Sequence, residues 1–382
     1  MENTLKNRVV NVICLTVLAG CLASGLAAEV GKNDYKNLTG FPKSELTPLV
    51  VERVWPKKVG EAAICLWKDD KTAAFSVTID DNIKNDHAWW LEQGKKFGFR
   101  FTWFVIVNNI QKKTQNAGTW SDFQGLLKAG HDVQSHSFGH RSKASNISAE
   151  DDYAKALPIL TENLKETKPL TMAYPGGGLP NDPAVAAKYY AGARGGVGTT
   201  NGPRTDWLNV NSVSMGANYN IPVGTKGDWA SLLPLLDPKS KTYRGWLSEH
   251  FHWMGPKEDR KKLVTSMPAT IGLFDFIKKR EDDVWVGLFR EIVLYGQERD
   301  TAKLDVTSST PTEIKMLLTD RMLDEWYDFP LTVSVRIPDS WKTVKAVQGE
   351  NPLNATVISH DGQKYAMVDI VPDRGETVVS PK

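Results

Sequence analysis

Short strand-like segments alternate with helix-like segments between residues 71 and 299. The run Ala73–Ile79 alternates in polarity with a period of two and ends at a pair of aspartates. A helical pattern follows it and stops at Gly98. Further strands are predicted over residues 99–107, 131–136, 170–174, 246–252 and 284–289, and helices over residues 87–96, 119–129, 184–190 and 268–279. Alternation of this kind predicts an α/β fold with a parallel sheet or barrel, and a functional site at the C-terminal ends of the strands.

The pattern changes after about Asp300, where strand-like runs follow one another without helices. These strands are predicted over residues 329–337, 343–347, 355–358 and 365–371. Asp361-Gly362 predicts a hairpin turn between the last two. The chain is therefore divided into an export signal (1–28), an N-terminal extension (29–70), the α/β domain (71–299) and a small β-sandwich-like domain (300–382).

The first residues have the pattern of an export signal. An apolar run over residues 9–20 follows Lys6 and Arg8, and it is too short to span a bilayer comfortably. Leu18-Ala19-Gly20-Cys21 resembles a bacterial lipobox, which predicts membrane attachment through a lipidated Cys21. Small residues at 25–28 offer ordinary signal-peptide cleavage instead. We therefore expect a bacterial exported protein that is periplasmic, an outer-membrane lipoprotein or extracellular.

Composition excludes one class of partner and draws attention to two residue types. Lys and Arg total 47 and Asp and Glu total 45, so the net charge of +2 argues against nucleic-acid binding. The chain has 13 Trp, above ordinary usage, and seven His, of which five fall between residues 131 and 252. Cys65 lies in an apolar run and is expected to be a small buried residue.

Polar residues of catalytic type follow two of the predicted strands. Asp80 and Asp81 are adjacent, so their side chains point to opposite sides, and one can bind a metal while the other handles a proton. His136 and His140 are four residues apart, close enough on one helical turn to share a metal ion. Two histidines and one aspartate leave coordination positions open for water and substrate.

A third strand end offers a candidate acid. His250 and His252 share a face of a strand, and the ordinary pKa of histidine suits a general acid at neutral pH. His252 is the preferred candidate and His250 stays open. Trp253, next in sequence, is the first candidate for stacking on a sugar face.

Together these motifs resemble the polysaccharide deacetylase family, carbohydrate esterase family 4, also called NodB-like, over residues 73–295. Thr78-Ile79-Asp80-Asp81 is similar to its first motif, and His136-Ser137-Phe138-Gly139-His140 to its second. Tyr174-Pro175-Gly176 looks like a variant of its third, and His252 like its last.

The resemblance implies an irregular (β/α)7-type barrel and a metal-dependent hydrolase that removes acetyl groups from an acetylated polysaccharide or oligosaccharide. Asp81, His136 and His140 would hold a divalent metal, zinc first, with cobalt, nickel or manganese as alternatives. Asp80 would be the general base and His252 the acid. Tyr174, Pro175 and Gly176 would lie at the substrate and oxyanion side, with a backbone N–H near Gly176 as donor.

One departure from the family affects the residue that orients the base. Many members carry an arginine in the third motif, whereas Thr171-Met172-Ala173 has none, and Arg194 is the candidate to replace it. Two other functions compete with the deacetylase: a catalytically silent glycan-binding protein on the same barrel, and an amidase acting on a non-sugar amide. The aspartates and histidines of the first two motifs favour the enzyme.

Overall fold

Parallel strands and helices dominate the computed structural model, which describes residues 34–180, 182–214, 232–257, 259 and 262–382. The strands are β1 (Ala62–Ile64), β2 (Ala73–Ile79), β3 (Thr102–Val105), β4 (Asp132–Ser135), β5 (Thr171–Ala173), β6 (Gly192–Val197), β7 (Val210–Ser214), β8 (Trp246–Phe251), β9 (Trp253–Gly255), β10 (Val264–Ser266), β11 (Val284–Val286), β12 (Lys303–Ser309), β13 (Ile314–Thr319), β14 (Leu331–Ile337), β15 (Val344–Gln348), β16 (Asn351–Leu353), β17 (Ala355–His360), β18 (Gln363–Ile370) and β19 (Thr377–Pro381). The helices are α1 (His87–Phe97), α2 (Val107–Gln111), α3 (Trp120–Lys128), α4 (Ala149–Asn163), α5 (Asp182–Ala186), α6 (Leu233–Leu236), α7 (Met267–Lys278) and α8 (Phe289–Thr301).

Strands β2 to β8 form a closed parallel barrel. They are hydrogen-bonded in sequence order, and β8 pairs back onto β2 in the register Ala74↔Trp246 to Ile79↔Phe251. Strand β11 adds to the outside of β2 at its N-terminal half. The predicted irregular (β/α)7-type barrel is confirmed. Because all seven strands are parallel, the residues after β2, β4, β5 and β8 meet at one end of the barrel.

The barrel strands are set by buried side chains and the helices by local caps. Every residue of β2 is buried, as a strand covered on both faces requires. Helix α3 begins with a capping box in which Thr119 Oγ1 accepts the Asp122 N–H while Asp122 accepts the Thr119 N–H. The predicted Ser148 cap of α4 is also confirmed, since its side chain accepts the Asp151 N–H.

Strands β6 and β7 were absent from the sequence-based prediction. Strand β6 reads Gly-Ala-Arg-Gly-Gly-Val and β7 reads Val-Asn-Ser-Val-Ser, so neither has the β-branched or aromatic content that marks a strand. Tertiary pairing stabilises them instead, because each lies between two neighbours in the barrel. This omission matters because β6 carries Arg194.

Two antiparallel sheets follow the barrel. One has the strand order β1-β14-β18-β17 and the other β12-β13-β19-β15-β16. The predicted Asp361-Gly362 turn joins β17 to β18, with both residues at positive φ (46° and 74°). Strand β1 comes from the predicted N-terminal extension and pairs antiparallel with β14. The β-sheets are thus completed by a segment that precedes the barrel.

Helix α8 packs between the barrel and the β-sheets. All of its residues except Arg290 are buried, including polar ones such as Gln297 and Glu298. Aromatic contacts run across the same junction, with the Trp285 and Phe329 rings stacked at a centroid distance of 5.9 Å. One apolar core therefore includes residues of the barrel, α8 and both sheets.

Two predictions concern the termini and the cysteines. The predicted export signal, with Cys21 and its lipobox, lies outside the described residues and stays a prediction. Cys65 is buried, as expected, and burial raises the pKa of its thiol well above its usual value. Among the helices of the described ranges, none combines the length and the apolar character that crossing a bilayer requires.

Candidate active site

The segment after β2 turns sharply and presents two aspartates to the end of the barrel. The Asp80 N–H donates to the Phe251 carbonyl at 2.9 Å, which continues the pairing with β8. Asp81 and Asn82 then adopt positive φ, 69° and 60°. The buried Asn82 side chain exchanges hydrogen bonds with the backbone of Ile106, at 2.6 and 3.0 Å. The turn is thereby fixed, with Asp80 buried and Asp81 half-buried at the rim.

His136 and His140 face Asp81 from the end of β4. The Nδ1 of His136 lies 2.8 Å from the Ala173 carbonyl oxygen. A carbonyl only accepts, so Nδ1 carries the proton and Nε2 keeps its lone pair free. Asp81 Oδ1 lies 3.6 Å from Nε2 of His136 and 3.6 Å from Nε2 of His140. Burial lowers the pKa of His136, although Asp80 and Asp81 oppose the shift, and this favours the neutral ring that ligates a metal.

The three side chains fit a divalent metal. One ligand atom from each of Asp81, His136 and His140 lies within 4.8 Å of the other two. In a tetrahedral zinc site with metal–ligand bonds of about 2.0–2.2 Å, neighbouring ligand atoms are about 3.3–3.5 Å apart. The observed 3.6 Å separations are close to that spacing. Three protein ligands leave a position open, as in catalytic rather than structural zinc sites.

Asp80 is paired with Arg194. The Arg194 Nη2 donates to Asp80 Oδ2, both side chains are 5% exposed, and Nη1 donates to Ser212 Oγ at 3.3 Å. Burial alone would raise the pKa of Asp80, but the Arg194 charge and the nearby His136 and His252 hold it well below its usual value. Asp80 Oδ1 is buried and has no hydrogen-bond partner within the described chain, so this oxygen remains available.

The strand register explains how Arg194 comes to replace the missing arginine. Strands β5 and β6 pair in parallel with Ala173 opposite Arg194. Residues in register on neighbouring strands point to the same face, so an arginine at either position is directed to the same part of the barrel. Arg194 is buried, with its guanidinium 5.5 Å from the centre of the Phe104 ring. Its predicted proximity to the base is therefore a feature of the structure.

His252 lies closer to the rim than His250. Its Nε2 is 3.9 Å from Asp80 Oδ2 and 3.8 Å from Asp81 Oδ2, and its side chain is 18% exposed. His250 is buried on β8, with its ring centre 5.7 Å from that of His252. Burial, reinforced by Arg194, lowers the pKa of His250 to about 3. A neutral, enclosed imidazole of this kind is poorly suited to donate a proton to a substrate.

The third motif divides into interior and exposed parts. The Tyr174 hydroxyl donates to the Leu208 carbonyl at 2.6 Å, so this side chain is committed to the interior. Pro175 is also buried, whereas Gly176 is exposed at φ 60°. Trp253, on β9, is half-buried, and the next N–H, of Met254, donates to Asp86 Oδ2 at 2.7 Å. Substrate contact thus stays a prediction that suits Gly176 and Trp253 better than Tyr174.

Several supporting residues escaped the sequence-based reasoning. Asn82 and Ser212 hold the aspartate turn and Arg194, and Asp152 holds the loop that carries His140. Asn82 directly follows the aspartate pair, which is a usable sequence signal. Ser212 and Asp152 offer no such signal, since small polar residues are common in strands and in first turns of helices.

The chain was then compared with known proteins. Residues 68–194 match the family model described as polysaccharide deacetylase. This part of the chain belongs to the polysaccharide deacetylase family. The match includes the first two motifs, the third motif and Arg194, and ends before His252.

A curated relative matches a longer part of the chain. It is called gellan lyase, from a Bacillus species, and is 34% identical over 343 residues, which is 86% of this chain. The chain spans only 14% of the length of that relative.

Solved structures with partial likeness carry deacetylase names. A Streptococcus pyogenes deacetylase in complex with acetate is 21% identical, with a TM-score of 0.32, over 36% of this chain and 62% of that one. A Bacillus cereus polysaccharide deacetylase is 23% identical, with a TM-score of 0.31, over 36% and 46% of the two chains. The Xyl-CE4 domain of a xylanase from the hindgut metagenome of Trinervitermes trinervoides is 13% identical, with a TM-score of 0.33, over 58% and 89%.

Proposed function

We propose that the protein is a metal-dependent hydrolase that removes acetyl groups from an acetylated polysaccharide or oligosaccharide. The observation that carries the proposal is the arrangement around Asp80. A buried carboxylate paired with Arg194 lies beside a separate group of three metal-ligand side chains, with His252 within 4 Å of both aspartates. A glycan-binding protein without activity has no need of a buried charge in that position.

Asp80 is the proposed general base. Its ion pair with Arg194 occupies Oδ2 and keeps the carboxylate ionised, while Oδ1 has no hydrogen-bond partner within the described residues. Oδ1 is therefore the atom that takes a proton from the attacking water. Positioning by Arg194 and Ser212 holds this oxygen in place, and such fixed geometry favours proton transfer.

The acid and the oxyanion donor are assigned to the rim. His252 Nε2 faces the aspartates and is partly open to solvent, so it is the proposed donor of a proton to the leaving sugar amine or hydroxyl. The exposed backbone at Gly176 is the proposed donor to the oxyanion, as an N–H aimed at developing charge would be.

Asp81, His136 and His140 would hold the metal, with zinc as the first candidate. When bound, such an ion supplies Lewis acidity to the acetyl carbonyl and lowers the pKa of water. The chain's own contribution is to set the ligand geometry: the Ala173 carbonyl fixes the tautomer of His136, and Asn82 fixes the turn that carries Asp81.

An exchange at Asp80 tests the proposal. The zinc-loaded protein is incubated with a panel of acetylated polysaccharides, with gellan included because of the curated relative, and released acetate is measured. We expect Asp80→Asn to lower acetate release by about 100-fold to 10,000-fold, the usual contribution of a general base. Asp305→Asn, an exposed aspartate on β12, is the matched control and should leave the rate unchanged.

The same assay separates the competing functions. Glycan binding without acetate release, unchanged by Asp80→Asn, would establish the binding protein instead. Release of unsaturated sugar ends would indicate a lyase, and acetate release only from small non-sugar amides an amidase. His252→Ala and His250→Ala compare the two candidate acids, and near-normal turnover of His252→Ala would overturn its assignment.

A further inference from the structure

The loop that carries His140 has an irregular backbone that must be held from outside. It runs from residue 137 to residue 141, with Ser137 at φ 66° and His140 at φ 55°. Non-glycine residues seldom adopt such angles unless surrounding contacts impose them. His140 is also the least enclosed member of the proposed ligand set, with its side chain 40% exposed. Its position therefore depends on the backbone more than on packing.

One residue of helix α4 collects the N–H groups on both sides of His140. Asp152 is fully buried. Its Oδ1 accepts the Gly139 N–H at 2.6 Å and its Oδ2 accepts the Arg141 N–H at 3.3 Å. Its backbone carbonyl accepts the Phe138 N–H at 3.0 Å. The His140 N–H itself donates to Ser137 Oγ at 3.0 Å, so the N–H groups from Phe138 to Arg141 are all bonded.

The fit around this carboxylate is close. A Cβ added to Gly139 would lie 3.3 Å from Asp152 Oδ1, so the loop has little room to move toward the helix. The negative charge lies in the first turn of α4, where the helix dipole favours it. Arg141 is also paired with Asp182, whose other oxygen accepts the Leu179 N–H at 2.7 Å. The loop is thus fixed from α4 and from the third-motif segment.

We infer that Asp152 is a positioning residue for the metal: by fixing the backbone on both sides of His140, it determines how tightly the site binds its ion. This inference rests on the proposed function. It differs from a general stabilising role, because it assigns the main effect of the carboxylate to metal affinity rather than to folding. Residues that orient metal ligands from outside typically change affinity by about 10–100-fold when removed.

The test is zinc affinity, measured by competition with a chromophoric chelator, together with the visible spectrum of the cobalt-loaded protein. We expect Asp152→Ala to bind zinc about 10–100-fold more weakly than the wild type and to show an altered cobalt spectrum. Asp152→Asn keeps one acceptor oxygen for the Gly139 N–H but turns an amide toward the Arg141 N–H, so an intermediate loss is expected. This isosteric variant also serves if Asp152→Ala does not fold.

Glu61→Ala is the matched control. Glu61 Oε2 accepts two backbone N–H groups, from Lys57 and Lys58 at 2.9 and 3.0 Å, in a segment before β1. Its removal should leave zinc affinity unchanged. Wild-type zinc affinity and cobalt spectrum in a folded Asp152 variant would overturn the inference and leave the proposed function intact. Absence of zinc binding by the wild type would overturn the proposed function itself, and this inference with it.

Discussion

At the scale of single residues, the exchange of position between Ala173 and Arg194 is the most informative feature. The third motif lacks an arginine, yet the guanidinium reaches Asp80 from the neighbouring strand. A buried ion pair of this kind depends on both partners, and removal of one leaves an uncompensated charge that costs about 3–5 kcal/mol. The pair therefore links the ionisation of Asp80 to the integrity of β6.

Removal of the Arg194 charge should change the pH dependence of the reaction. In Arg194→Met, burial acts on Asp80 with less opposition, so the pKa of Asp80 rises. The base is active only when ionised, so the acidic limb of the kcat profile should move to higher pH. Arg194→Lys retains the charge and should move it less. A pH–rate profile measures both, and an acidic limb that stays in place in Arg194→Met would contradict the assignment.

At the scale of elements, α8 shows how a helix is adapted to an enclosed position. Nearly all of its residues are buried, so the usual division into an apolar and a polar face is lost. Gly296 lies where the helix crosses Trp207, and a Cβ there would be 2.1 Å from the ring atom Cη2 of Trp207. Absence of a side chain at this position allows helix and barrel to approach.

Gly296→Ala should destabilise the protein although alanine favours helix. The added methyl group overlaps a buried ring, and overpacking of this kind typically costs about 1–3 kcal/mol. Gly125→Ala, in α3, is the control, because a Cβ there has no neighbouring atom within 4 Å. That variant should keep or raise stability through helix propensity. Chemical denaturation gives both free energies of unfolding, and equal values would refute the packing argument.

At the scale of the whole molecule, buried acids lie where α8 meets the β-sheets. Glu298 is fully buried, and neither carboxylate oxygen has a hydrogen-bond partner in the described ranges. Burial raises its pKa well above the usual value, with Asp320 and other acids adding to the effect. Burial likewise raises the pKa of Asp320 to about 8. The native state therefore holds protons here that the unfolded chain releases.

The junction should make folding stability fall as pH rises. The unfolded chain loses these protons above about pH 4, whereas the native state keeps them, so the native state is disfavoured progressively through the pKa of Asp320 near 8. Glu298→Gln lacks this ionisation and should be more stable than the wild type at about pH 8, with the advantage lost near about pH 4. Urea unfolding across pH measures the difference. A Gln variant that is weaker at every pH would mean that the carboxylate is charged and paired.

The sequence alone determined the features that depend on local pattern. Alternating strands and helices predict the barrel because parallel strands need helical connections, and the spacing of Asp81, His136 and His140 predicts the metal ligands because each follows directly on a strand or lies within one turn. These are short-range relations, and the chain carries them in adjacent residues.

Only the tertiary structure decided the relations between distant residues. The pairing of β5 with β6 places Arg194 beside Asp80, and β6 itself has no strand pattern to predict it. Asp152 reaches the His140 loop only because α4 folds back against β4, and β1 joins β14 across most of the chain. The depth of His250 and the exposure of His252 are likewise set by barrel closure. Strand register and burial arise from packing, which adjacent residues do not record.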